Sequence, residues 1–175
     1  AEVKKYTGAQ YAHGVSSGST AVSAILAGCG IGYGDEVIVP PFTFVAPIEA
    51  VFLAGGLPVF AELDESLCLN AEGIEKAVTP NTKAVLLVHM CGTAADIGGI
   101  LDVCKRHNLV LLEDCGQAMG AFYKGKSVGL YGKAGSFSFD YFKLATCGEG
   151  VPKTLGVYFP RRWAYALGKF TTNSL

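Results

Sequence analysis

A chain of 175 residues, half of them hydrophobic and 17% charged, is long enough to bury one sizeable core. Its net charge of -1 gives no electrostatic reason to bind nucleic acid or an anionic membrane surface. No apolar run nears the roughly 20 residues that cross a bilayer, and residues 1–6 lack the layout of a secretory signal, so a cytoplasmic location is expected. The cysteines at 29, 68, 91, 104, 115 and 147 form no CxxC pair and have no histidine at ligand spacing. Reduced thiols are expected, rather than a zinc site or a disulfide framework.

Residues 1–12 read as a helix end and then a short strand, with Gly8 as the break. Over 19–30, Val22, Ile25, Leu26 and Cys29 recur at helical spacing. Ser17 or Ser19 is the N-cap, and Gly28 and Gly30 suit the far end. Gly34 and Asp35 turn the chain into a short buried strand, 36–39, closed by Pro40 and Pro41. The stretch 42–54 is helical in its second part, with Ile48, Val51 and Phe52 on one face. Gly55 and Gly56 end it before a second strand, 57–60. Asn70 caps a short helix that runs to Val78 and stops at Thr79 and Pro80.

Residues 83–88 have the unbroken apolar pattern of a parallel strand buried on both faces. Asp96 caps the next helix, where Ile100, Leu101, Val103 and Cys104 face inward and the basic end 105–107 complements the dipole. Asn108 stops that helix, and another buried strand, 109–112, runs into Glu113 and Asp114. Residues 122–128 form a hairpin around Gly125. The run 136–139 alternates like a strand and breaks into a small-residue loop just past Lys143. Residues 151–175 are basic and aromatic without a clear period. Strands alternate with helices, so the fold class is α/β, a mostly parallel sheet flanked by helices.

In such sheets ligands sit beyond the carboxyl ends of the strands, and the chemistry-bearing residues fall there. Ser17, Gly18, Ser19 and Thr20 offer backbone N–H groups and hydroxyls at a helix start, as a phosphate seat or as an ordinary cap. Asp114 ends an apolar strand; a carboxylate there either pairs with a cation or caps the turn toward Gln117. Phe44 is placed to stack on a flat ring or to pack in the core. Lys143 lies among aromatics, and desolvation favours the neutral amine that forms Schiff bases with carbonyls. His89 reads as a hydrogen-bonded structural residue, and no Ser/His or Cys/His pair stands out. Lysine, carboxylate and phosphate seat are together what a pyridoxal phosphate site needs.

The wider motifs carry a resemblance. They are Ser16-Ser-Gly-Ser-Thr-Ala21, Gly34-Asp-Glu-Val-Ile-Val-Pro40, Phe42-Thr-Phe-Val-Ala46, Thr82-Lys-Ala-Val85, Val88-His89, Glu113-Asp114 with Gln117-Ala118, and Ser136-Phe-Ser-Phe139 through Gly148-Glu-Gly150. In this order they resemble the DegT/DnrJ/EryC1/StrS sugar aminotransferases, pyridoxal-phosphate enzymes with the aspartate-aminotransferase (type I) fold. The resemblance covers nearly all of 1–150. It implies that Lys143 is catalytic, holding the cofactor as a Schiff base and then moving the proton between cofactor and sugar carbon. It implies that Asp114 pairs with the pyridinium nitrogen, and that Gly18, Ser19, Thr20 and Ser138 hold the phosphate. Phe44 would stack on the ring and Gln117 would contact its hydroxyl side. A dehydratase branch has histidine at the Schiff-base position, so Lys143 favours transamination.

The implied reaction moves an amino group from L-glutamate to a keto sugar, commonly nucleotide-linked, in a homodimer. Phe139-Asp-Tyr-Phe-Lys143 with Thr146-Cys-Gly-Glu149 also looks similar to the branch making 8-amino-3,8-dideoxy-manno-octulosonate. A truncated or regulatory non-catalytic family member is the remaining alternative. Ser19 replaces the family's usual Thr and Gly116 its usual Ala. Val151 and Pro152 depart from the pattern, so 1–150 is expected to be the cofactor-binding large domain. Residues 151–175 are expected to be a tail that does not align, with the C-terminal small domain absent.

Overall fold

The computed structural model describes residues 2–146. In chain order they form α1 (Glu2–Thr7), α2 (Gly18–Gly28), β1 (Glu36–Val39), α3 (Val45–Leu53), β2 (Leu57–Phe60) and α4 (Ala71–Ala77). Then follow β3 (Thr82–Val88), α5 (Ile97–Arg106), β4 (Val110–Asp114), the small antiparallel hairpin β5 (Phe122–Tyr123) and β6 (Lys126–Ser127), and β7 (Ala134–Ser136). Five strands make one parallel sheet in the order β2-β1-β3-β4-β7, the architecture expected from the alternation of strands and helices. Cys147, the Gly148-Glu-Gly150 motif and the tail expected from 151 lie outside the described residues.

Period-two alternation along β3 and β4 divides the core between the two faces of the sheet. Ala84, Leu86 and Leu112 pack with Val22, Ile25 and Leu26 of α2 and Val51 of α3. Val85, Leu87 and Leu111 pack on the other face with Ile74 of α4 and Ile97 and Ile100 of α5. Each fully buried leucine or isoleucine contributes about 1.5–3 kcal/mol. This is why the strands read as continuous apolar runs: both faces are covered. Among the described residues no helix is long and apolar enough to cross a membrane.

The helix starts follow local chemistry. Ser17 Oγ accepts the Thr20 N–H at 3.1 Å, which settles the choice of cap on Ser17. Asn70 Oδ1 takes the Gly73 N–H at 2.6 Å. Pro47 falls in the first turn of α3, where its missing N–H would have had no helical partner. Asp96 stands at the start of α5 but its side chain makes no capping bond, contrary to expectation. Its Oδ1 instead accepts the Tyr123 hydroxyl at 2.7 Å, tying α5 to the hairpin.

Three other expectations change. After α1 there is no short strand, only a bridge residue at His13. Phe52 faces solvent at 58% exposed, because α3 seats Ala46, Pro47, Ala50 and Val51 on its neighbours. The strand foreseen at 136–139 runs instead over Ala134–Ser136. Ser136 pairs with Asp114, the last residue of β4, so no neighbouring strand remains to extend the ladder. Lys143 therefore sits seven positions beyond the strand, in a turn where its N–H donates to Asp140 O at 3.0 Å.

Gly135 lies opposite Glu113 in the β4–β7 ladder, and the backbone of Gly129 crosses directly over it. A Cβ at 135 would stand 2.4 Å from the Gly129 carbonyl oxygen. Backbone on both sides cannot yield as a side-chain tip can. Gly135→Ala is expected to cost about 3 kcal/mol, the upper part of the overpacking range, read as a lower urea midpoint at unchanged m-value.

Candidate functional site

From β1 the chain goes outward to β2 and then crosses back to β3 on the other side. Such a reversal opens a crevice at the carboxyl ends of the strands. Residues at or beyond the carboxyl ends of β1, β3, β4 and β7 meet there with the N-terminus of α2 around a cavity of about 310 Å³. Alternation decides what enters it. Glu113 and Asp114 are consecutive on a strand, so Asp114 points to the α2 face with Val88, while Glu113 points away.

Asp114 Oδ1 accepts the Gly116 N–H at 2.8 Å and the Ser136 hydroxyl at 3.2 Å. Burial pushes its carboxyl above the usual carboxylate range. These two hydrogen bonds and the positive charge of Lys143 only partly offset that effect. A cation placed against it would repay the desolvation.

At the start of α2, the N–H groups of Gly18 and Ser19 have no carbonyl partner within the helix and carry the positive end of its dipole. Gly18 is needed for a close approach: a Cβ there would lie 3.1 Å from Ser138 Cβ. Ser17, Gly18, Ser19 and Ser138 all line the cavity. Thr20 does not. Its hydroxyl is shared with those of Ser17 at 2.9 Å and Ser16 at 3.1 Å.

Phe44 and Phe142 form the mouth. Lys143 Nζ stands 5.5 Å from the Phe44 ring centroid and 4.7 Å from that of Phe142. A 3-10 turn, Met90–Gly92, follows β3, and the Cys91 N–H donates to Gln117 Oε1 at 3.2 Å. A backbone N–H can only donate, so the amide oxygen of Gln117 faces Cys91 and its NH₂ group is left for the cavity side. Of the expected site residues, Lys143, Asp114, Gln117, Phe44, Gly18, Ser19 and Ser138 come together and Thr20 stands aside. The sequence reading missed Thr43 and Asp140, which also line the cavity. The motif Phe42-Thr-Phe44 contained Thr43, but only its aromatics drew notice.

Behind the site, on the opposite face, His89 and Glu113 are fully buried. Glu113 Oε1 accepts the N–H groups of Tyr131 at 2.7 Å and Gly132 at 2.6 Å. Oε2 accepts the Gly129 N–H at 2.7 Å and faces His89 Nε2 at 3.1 Å. His89 Nδ1 accepts from Ala95 N–H at 3.3 Å, so the ring proton sits on Nε2. This agrees with the structural role expected of His89. Cys115 approaches both residues, but burial pushes its thiol well above the usual range. With the carboxylate oxygens occupied by N–H donors, the trio is a poor metal donor set. Among the described residues, the cysteines at 29, 68, 91, 104 and 115 are free thiols.

A family model described as the DegT/DnrJ/EryC1/StrS aminotransferase family matches residues 1–151. An L-glutamine:2-deoxy-scyllo-inosose aminotransferase from Streptomyces kanamyceticus is 44% identical over 77% of this chain and 32% of its own length. A UDP-N-acetyl-3-dehydro-alpha-D-glucosamine 3-aminotransferase from Acidithiobacillus ferrooxidans is 44% identical over 86% of this chain and 41% of its own. Thus the chain spans less than half the length of these relatives. The solved structure of S. venezuelae DesV in complex with a ketimine intermediate superposes with a TM-score of 0.88. It is 37% identical and covers 98% of this chain and 46% of that one. The Bacillus subtilis ntda structure, with bound cofactor pmp, has a TM-score of 0.79 and 31% identity, covering 90% and 35%.

Proposed function

Because the chain belongs to the DegT/DnrJ/EryC1/StrS aminotransferase family, we propose that it is the cofactor-binding part of a pyridoxal-phosphate-dependent sugar aminotransferase. The observation that carries this reading is the convergence of three groups on one cavity: the Lys143 amine, the Asp114 carboxyl raised by burial, and the open helix start at Gly18 and Ser19. The residues fit the group. A phosphate finds N–H donors and a dipole at α2, brought against Ser138 by the absent side chain of Gly18. A cationic ring nitrogen finds the Asp114 carboxyl, which burial leaves wanting a partner cation. A flat ring finds the exposed face of Phe44.

Pyridoxal phosphate, when bound, supplies an electron sink to the carbon that gains or loses the amino group. The protein's own residues do the rest. Asp114 keeps the ring nitrogen charged, and Ser17, Gly18, Ser19 and Ser138 anchor the phosphate. Gln117 offers its NH₂ to an oxygen acceptor on the ring side. Lys143 Nζ would hold the cofactor covalently and, once released, would move a proton between the cofactor and the carbon that gains or loses the amino group. The acceptor is a keto sugar, nucleotide-linked or cyclitol-like as in the two relatives. The donor is an α-amino acid, L-glutamate, with L-glutamine the competitor because one relative is named for it. A homodimer completing the site across its interface, and residues 1–150 as the large domain, belong to the same proposal.

The test is to titrate the 175-residue chain with pyridoxal phosphate, reduce with borohydride, map the labelled peptide, and then add L-glutamate or L-glutamine. A visible band reduced onto Lys143 and bleached by one amino acid supports the reading. Labelling scattered over surface lysines sinks it.

Asp114→Asn provides a second check. For an acid whose folded pKa is raised, stability is greatest below the unfolded pKa. It falls as pH rises toward the folded value. Without cofactor, the wild type is expected to lose stability as pH rises above about 4, the ordinary aspartate value, by a component that the asparagine variant lacks. With cofactor the order reverses. Removing one partner of a buried charge pair costs about 3–5 kcal/mol, so Asp114→Asn should bind pyridoxal phosphate roughly 150- to 5,000-fold more weakly by equilibrium titration.

A further inference from the structure

The turn after β3 carries a backbone outlier beside the cavity. Its closing bond, Thr93 N–H to Met90 O at 2.9 Å, is that of a 3-10 turn. Its two central residues are nevertheless left-handed, Cys91 at φ 52°, ψ 25° and Gly92 at φ 84°. That is the type I′ pattern, which favours asparagine or glycine at its first central position and disfavours most other residues. The turn is firmly based all the same. Just before it, the buried His89 donates its backbone N–H to Asp114 O at 3.0 Å and turns its ring to Glu113. His89 Nδ1 then accepts the Ala95 N–H at 3.3 Å, closing the chain on the far side of the turn.

Held in this way, the tip of the turn meets Gln117 twice. The Cys91 N–H donates to Gln117 Oε1 at 3.2 Å. Gly92 packs on the Gln117 backbone, where a Cβ would stand 3.5 Å from the carbonyl oxygen. The first contact decides which end of the amide is offered to the cavity that Gln117 lines. A flipped amide would set its NH₂ against the Cys91 N–H, donor against donor, and present an oxygen to the ligand. An unrestrained amide would instead have to be ordered by the ligand, at a cost in side-chain entropy. We infer that the Cys91–Gly92 turn is a positioning element for Gln117, fixing the amide with its NH₂ toward the ring side of a bound cofactor. The acting group is the backbone N–H of Cys91, not the thiol. The inference rests on the cofactor reading proposed above.

The test is equilibrium titration of wild type and turn variants with pyridoxal phosphate and with pyridoxal. Cys91→Val places a β-branched residue where φ is positive, and should bind both probes roughly 2- to 10-fold more weakly, the worth of one oriented hydrogen bond. Cys91→Asn accepts the left-handed geometry without a thiol and should bind close to wild type. Gln117→Leu should match the valine variant, and adding Cys91→Val to Gln117→Leu should weaken binding no further. Should valine prevent folding, Gly92→Ala strains the same turn, with room for its methyl group, and replaces it in both arms. Wild-type binding by the valine variant overturns the inference. Asparagine as weak as valine does so too, since the side chain and not the turn would then matter. A further loss in the double variant also overturns it, because the turn would be acting elsewhere than on Gln117. A loss confined to pyridoxal phosphate overturns the ring-side assignment. If the wild type binds neither probe, the cofactor reading falls and takes this inference with it. If the wild type binds and only the turn variants depart from expectation, the cofactor reading stands alone.

Discussion

Lys143→Ala is expected to abolish borohydride trapping of pyridoxal phosphate and to lower amino transfer by at least about 10⁴-fold. That factor is the upper range for loss of one positioned acid–base group, and here the covalent anchor goes as well. The effect should be confined to chemistry. Lys143 lies in a turn beyond β7, partly exposed, with its amine over the rings of Phe44 and Phe142. Trimming it there should change stability by no more than about 0.5 kcal/mol, so an unchanged urea midpoint is part of the prediction. Lys143→Arg is the sharper control. It keeps a cation over the same rings, yet a guanidinium stays protonated and does not add to a carbonyl. Peptide mapping after reduction reads the outcome directly. Trapped cofactor at any other residue in the alanine variant would remove Lys143 from the chemistry.

Glu113→Ala is expected to prevent stable folding, the largest stability effect foreseen for this chain. The Glu113 carboxylate holds three backbone N–H groups of the 129–132 turn and faces the His89 ring, all in a fully buried setting. Alanine would strand these donors. At about 1–3 kcal/mol for each buried unsatisfied group, the sum approaches the 5–15 kcal/mol that a typical domain has in total. Glu113→Gln separates hydrogen bonding from volume. If its amide oxygen faces Tyr131 and Gly132, its NH₂ meets the Gly129 N–H, donor against donor. His89 cannot compensate by switching tautomer, because its Nδ1 already accepts from Ala95. A loss of roughly 2–4 kcal/mol in urea unfolding is expected for glutamine. A glutamine variant as stable as the wild type would show that the turn does not depend on the carboxylate. The consequence reaches the site, since the same turn feeds β7 and Ser136, which donates to Asp114.

Much of what depends on near neighbours is legible in the chain itself. Apolar runs without a polar break marked β3 and β4 as strands covered on both faces. Ser17 and Asn70 marked helix starts that the backbone adopts, and the hairpin around Gly125 formed where its turn residues stand. Asp114, Ser17 to Ser19 and Lys143 were legible because strand end, helix start and aromatic loop are local patterns. The remainder was settled by long-range packing, because hydrogen-bond partners and covered faces are supplied by distant chain. Phe52 has helical spacing, but what α3 packs against turned it outward. The strand near 136 stops where β4 runs out of residues to pair with it. Asp96 gave up its capping bond for Tyr123, 27 positions away. Period-two alternation required Glu113 and Asp114 to point apart, but not which would face the cavity; packing of α2 on one side and α5 on the other chose Asp114. Thr20 and Thr43 make the same point at the site. As residue types they are equivalent, yet one hydroxyl is satisfied by neighbouring serines and the other is buried without a partner, a difference set by the surrounding fold.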